Sequence, residues 1–221
     1  MPVITISRQY GSLGDEIGKE IAERLGLRFV DQEIINEVAR RLDVSPKAAS
    51  APDEREGSVV SELVHTMRML YPATPLPQHS QENQELDEAA YLQVIREVIW
   101  EVARTNDAVI VGRGGAFILP KHPDILHVLM IAPFEVRVER IMAAEGLTQE
   151  RAAERVKHVD GNRGRYVRHF YHSNWVDLAH YDLVVNTGHF SQIRAASLVC
   201  AAVAAEQTPS QGPREETDLS E

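Results

Sequence analysis

The sequence contains one cysteine, Cys200, so no internal disulfide can form and a reducing compartment is expected. No stretch approaches the run of about 18 apolar residues that a membrane-spanning helix needs. The opening MPVITISRQ lacks the basic start and long apolar run of a secretory leader, so the chain is predicted to be cytoplasmic, with no membrane partner. Its nine histidines form no H-E-x-x-H pattern and have no cysteine partners, so no metal site built from its own side chains is expected. No G-x-S-x-G elbow occurs, which removes the commonest serine hydrolase on an α/β sheet. Internal repeats are absent. What is present is ordinary globular usage, 43% hydrophobic and 25% charged over 221 residues. That excludes wholesale disorder and suits one domain with a small inserted subdomain.

The net charge of −10 is unevenly spread. Residues 43–90 carry nine acids against three bases, and 206–221 carry five acids against one base. Segment 151–168 runs the other way, with six Lys/Arg against two acids. Nucleic-acid binding favours a broad basic face, which this chain lacks. One local arginine-rich segment in an acidic protein points to a small anionic ligand instead.

The apolar pattern alternates strands with helices. PVITIS (2–7) reads as a strand, followed by a glycine turn and a helix from Asp15 whose Ile17, Ile21, Ala22 and Leu25 share a face. A short strand over 27–30 ends at Asp31. Helices are predicted at 32–42, 58–70 and 86–105, with an exposed Pro- and Gln-rich loop between the last two. Strands follow at 108–111, 125–131 and 182–185, with helices from Pro133 to about Glu145, over a polar stretch at 148–171, and at 191–206. The tail beyond is too polar to fold. Five short strands between helices predict an α/β protein with a doubly wound parallel sheet.

Ligands of such sheets sit beyond the carboxyl ends of the strands. The candidates there are Ser7–Gly14, Asp31, Gly112–Gly115 and Asn186–Gly188. A glycine-rich strand–helix turn binds phosphate through backbone N–H groups. The full pattern G-x-x-x-x-G-K-[ST] is missing, however, and no lysine precedes Lys19. Gly11, Gly14 and Gly18 with Asp31 also make a loose dinucleotide fingerprint, and a plain tight turn fits equally. Arg113 follows a buried strand between glycines, a place that suits a bidentate phosphate ligand or a structural salt bridge. Arg137 and Arg140 are spaced to share a helical face, whereas Arg151 and Arg155 read as a solvated one. Asp160-Gly161-Asn162-Arg163-Gly164 places two glycines in a helical stretch, the pattern of a hinged, charge-neutralising lid.

Six stretches stand in order along the chain: ITISRQYGS with Gly14 and EIG (4–18), FVD (29–31), VIVGRG (109–114), IAPFEVRVERI (131–141), VDGNRGRYVRHFY (159–171) and YDLVVNTG (181–188). Together they resemble the cytidylate kinase-like family of the P-loop nucleoside monophosphate kinase superfamily, over roughly residues 3–200. The resemblance implies a three-layer α/β/α fold with a five-stranded parallel sheet, within a single domain over 1–206. It implies a helical acceptor-binding region at 43–105 with a mobile loop at 71–85, a lid at 148–172 and a disordered acidic tail at 207–221.

The implied activity is phosphotransfer from ATP, with Mg2+, to a nucleoside monophosphate such as CMP or dCMP, or to another small acceptor. Ser7, Arg8, Gly11, Ser12, Gly14, Asp15 and Glu16 would hold ATP; Asp31, Arg113 and Arg137 would hold the acceptor. Arg113, Arg163 and Arg168 would neutralise the transferring group. Partners would be nucleotides, with no nucleic acid, and homo-oligomers are compatible. Two positions depart from the family pattern: Leu13 replaces a glycine and Asp15 an arginine, while Gly14 stands where authentic cytidylate kinases carry their loop lysine. Arg8 is then the residue to reach back as a substitute cation, and Asp15 can act as a helix N-terminal acid or hold Mg2+. The departures keep open a nucleotide-binding regulatory protein that transfers nothing. An NAD-type dehydrogenase is the weaker third option.

Overall fold

A computed structural model describes residues 2–42, 81–104 and 107–206. Five strands, β1 (Val3–Arg8), β2 (Arg28–Val30), β3 (Ala108–Val111), β4 (Ile125–Ile131) and β5 (Leu183–Asn186), form one sheet in the order β2-β3-β1-β4-β5. Every pairing is parallel, with Val3 opposite both Ala108 and Ile125, and Thr5 opposite His127. The chain goes from β1 to β2 and β3 on one side, then crosses to β4 and β5 on the other. The resulting crevice lies beyond the carboxyl ends of β1 and β3, where an α/β sheet of this kind binds ligands.

Both faces of the sheet are covered, which is why its strands read as unbroken apolar runs. On one face Ile4, Ile6, Val109, Val111, Val128 and Met130 pack under α1 (Gly14–Leu25) and α7 (Gln192–Glu206), through Ile17, Ile21, Ala195 and Val199. On the other, Val3, Ala108 and Ile110 pack under α3 (Gln81–Arg104) and α6 (Gln149–Tyr171), through Ile95, Ile99, Tyr166 and Phe170. That second face also buries one polar pair, Thr5 Oγ1 to His127 Nδ1 at 2.7 Å. The remaining helices are α2 (Gln32–Leu42), the single turn α4 (Gly115–Ile118) and α5 (Phe134–Glu145).

Three elements differ from the sequence reading. α3 begins at Gln81, so the end of the predicted 71–85 loop is helical. The turn α4 was hidden in the glycine cluster after β3. α6 runs unbroken through Gly161 and Gly164, with no interruption for a hinge. Each glycine costs a helix about 0.5–1 kcal/mol against alanine. The buried row Val156, Val159, Tyr166, Val167 and Phe170 outweighs that cost. Gly164 has a steric reason besides: a Cβ there would lie 3.2 Å from the Trp175 indole nitrogen. The predicted helix at 58–70, most of the acceptor-binding region and the tail lie outside the described residues.

Candidate active site

The turn after β1 is held from several sides. Ser12 N donates to Gln9 O at 3.1 Å, closing the turn, and Gln9 N donates to Met130 O at 2.9 Å. Tyr10 N donates to Asp160 Oδ1 on α6 at 2.8 Å. Arg137 on α5 donates from Nη1 to Asp160 Oδ2 and to Tyr10 O, and from Nε to Ala132 O. Arg140, one turn further along, donates to Gly11 O at 3.1 Å and to Thr187 O at 2.7 Å. Thr187 Oγ1, just past β5, donates in turn to Ser12 O at 2.8 Å. Burial lowers the pKa of Arg140 without discharging it. Leu13 closes the loop in the left-handed region, φ 62°, a strained conformation for a side chain of its size.

Beside this loop is a cleft lined by Ser7, Arg8, Gly112, Arg113, Gly114 and Arg163 together with Phe117, Tyr166 and Trp175. Its three arginines are deeply buried: Arg8 is 7% exposed, Arg113 9% and Arg163 6%. Arg8 Nε lies 3.2 Å from Asp15 Oδ1, and Arg113 Nη2 lies 4.0 Å from Asp31 Oδ1. Arg163 Nη1 donates to Arg8 O at 2.8 Å, fixing the strand end. Arg113 itself has φ 55°, so its side chain leaves the β3 end from a backbone that few non-glycine residues adopt. Ser12 Oγ is fully buried and has no hydrogen-bond partner among the described residues. Buried arginines lining a glycine-walled cleft supply the positive charge and N–H donors that a compact anion such as phosphate would require.

The model of the cytidylate kinase-like family matches residues 3–189. The chain belongs to that family. Membership supports, at the family level, a nucleotide kinase. Two of the several relatives that carry the name cytidylate kinase illustrate the match. One, from Methanocaldococcus jannaschii, is 27% identical over 205 residues, covering 91% of this chain and 97% of that protein. The other, from Methanopyrus kandleri, is 32% identical over 111 residues, covering 47% of this chain and only 58% of that protein. A crystal structure of an uncharacterized protein from Eubacterium ventriosum shares the fold, with TM-score 0.64 and 21% identity over 92% of this chain and 98% of that one.

Seen as a family member, the chain brings together Ser7, Arg8, Arg113 and Arg163 in the cleft, with Gly11 and Ser12 on the adjoining loop, Gly14 and Asp15 in the first turn of α1, and Asp31 beside Arg113. Two of the expected arginines do not join them. Arg137 stands behind the loop, its donors turned to Asp160, Tyr10 O and Ala132 O, so it shapes the loop rather than facing the cleft. Arg168 is exposed, five residues beyond Arg163 on a helix of 3.6 residues per turn and so on another side of α6. Glu16 is exposed as well.

Sequence reasoning missed Arg140, Asp160 and Gln9 as the loop's supports. Thr187 lay within the flagged Asn186–Gly188 turn, but its partner could not be named from it. No helix among the described residues is long and apolar enough to cross a membrane.

Proposed function

We propose that this protein transfers the γ-phosphate of ATP to a small anionic acceptor, a nucleoside monophosphate of the CMP or dCMP class, at the cleft between β1 and β3. The reading rests on one observation: three buried arginines line a glycine-walled cleft at the carboxyl ends of the two central strands. Phosphoryl transfer asks a protein mainly for positioning and charge neutralisation. Arg113, seated by its left-handed backbone, clamps the acceptor phosphate, with Asp31 beside it. Arg163 neutralises the transferring group. The loop from Ser7 to Asp15 holds the donor phosphates, and the aromatic roof of Phe117, Tyr166 and Trp175 keeps water out.

A magnesium ion fits this arrangement. Among the described residues no three His, Cys, Asp or Glu side chains gather as a metal site. Magnesium needs fewer, since one or two carboxylates plus substrate phosphates hold it. Asp15, 45% exposed at the start of α1, is the carboxylate so placed. The ion would offset phosphate charge during transfer.

The strained Leu13 and the lysine-free loop favour a second reading, a nucleotide-binding regulator that transfers nothing. One experiment separates the two. Purified protein is incubated with Mg-ATP and a panel of nucleoside monophosphates, and products are resolved by chromatography, with Arg113→Ala as control. A new diphosphate that vanishes in the control upholds the kinase and names its acceptor. ATP binding without product refutes transfer to these acceptors; activity appearing on Leu13→Gly with Asp15→Arg would favour the regulator.

A further inference from the structure

A polyphosphate in a glycine-rich strand–helix turn needs a cation at its outer phosphates, normally a lysine in the first turn of the helix. Here the first lysine is Lys19, whose Nζ lies 5.6 Å from the centroid of the Phe29 ring, committed elsewhere. We propose that Arg8 is the loop's cation, moved from the helix to the end of the strand, and that Gly14 and Gly112 are glycines in order to admit it. The inference rests on the kinase reading only for the identity of the polyphosphate.

The sterics are specific. A Cβ on Gly14 would fall 2.4 Å from Arg8 Cβ and 2.8 Å from Arg8 Cγ, so the arginine stem fills the space in which a side chain at position 14 would begin. A Cβ on Gly112 would fall 2.1 Å from Arg8 Nη1, so the guanidinium reaches across to the end of β3. The head is therefore delivered into the cleft beside Arg113 and Arg163. Asp15 meets Nε at 3.2 Å, and Arg163 grips the carbonyl of the same residue at 2.8 Å. The buried Ser12 hydroxyl, without a partner among the described residues, is a further group that an incoming phosphate oxygen would satisfy. An arginine at 8 and a lysine at 14 thus exclude each other.

The exclusion can be tested by exchange. Pyrophosphate is titrated calorimetrically, with ATP in parallel, into the parent chain, Arg8→Met, Gly14→Lys, and the double variant Arg8→Gly with Gly14→Lys. Arg8→Met keeps most of the stem and loses the charge, and is expected to weaken pyrophosphate about tenfold or more. Gly14→Lys alone is expected to lose affinity because its side chain collides with Arg8. Joining it to Arg8→Gly should bring affinity back to within about threefold of the parent, a strongly non-additive pair. If Gly14→Lys alone does not fold, recovery of a cooperative melt in the double variant reports the same collision without ligand. Parent-like binding by Arg8→Met, or a double variant no better than Gly14→Lys in both affinity and melting, overturns the proposal. Arg8-dependent pyrophosphate binding without phosphate transfer upholds it and refutes the kinase reading. A parent chain that binds neither pyrophosphate nor ATP refutes both.

Discussion

Asp160→Asn probes how the loop after β1 is kept in shape. Asp160 accepts from Tyr10 N at 2.8 Å and pairs with Arg137, whose side chain is almost wholly buried. The asparagine keeps an oxygen for Tyr10 but turns an amide toward a guanidinium that still needs a counter-ion. Removing one partner of a buried pair costs about 3–5 kcal/mol. Asp160 is partly exposed and one of its bonds survives, so about 3 kcal/mol is expected. In a chain of this size that lowers the melting midpoint by about 6–12 °C. Urea and thermal unfolding of the parent, Asp160→Asn, Arg137→Met and the double variant complete a cycle. The double variant should be more stable than Asp160→Asn alone, because it no longer buries an uncompensated charge. An Asp160→Asn chain within about 0.5 kcal/mol of the parent would refute the reasoning.

Other expectations follow from the same contacts. Arg113→Ala should raise the acceptor KM by about 10–100-fold, the worth of a charged hydrogen bond, and steady-state kinetics at saturating ATP would expose an unaltered KM. Arg163→Ala should slow single-turnover transfer far more than Arg168→Ala, and equal losses would deny the cleft its special role. Burial lowers the pKa of His127 from its usual 6.5. The unfolded chain therefore takes up a proton that the folded chain refuses. Stability should be full above about pH 6.5 and fall as pH drops from there toward the lowered folded value. His127→Leu should flatten that limb of a pH series of melts, and an unchanged slope would exclude this histidine as its source. Ile21→Ala, at a fully buried position of α1 against the sheet, should cost about 3 kcal/mol by urea denaturation; a loss under about 1 kcal/mol would mean the helix repacks.

The sheet was legible because β1, β3 and β4 are buried on both faces and so read as continuous apolar runs. The ends of those strands, marked by Ser7, Asp31 and Gly112, then located the crevice. What stayed hidden were pairings over long chain separations. The family resemblance implied Arg137 as a phosphate ligand, and its spacing from Arg140 reveals a shared helix face and not what that face meets. Its partner Asp160 is in another helix, and the loop that both serve is more than a hundred residues earlier. The glycines at 161 and 164 suggested a break because propensity counts them alone, whereas burial of the opposite side of α6 decides. Position 8 was legible as a cation, but the reason that 14 and 112 must be glycine is visible only where the three backbones converge.

The contacts that set the loop after β1 also impose an order in time. Gly11 O waits for Arg140, Tyr10 N for Asp160 and Ser12 O for Thr187, separations of 129, 150 and 175 residues. A ribosome delivers the loop well over a hundred residues before the segments that brace it, so the chain must emerge as far as Thr187 before the last brace exists. Nascent chains stopped short of residue 187 should therefore carry the binding sequence without binding anything. The earliest-made part of the site is the last to mature.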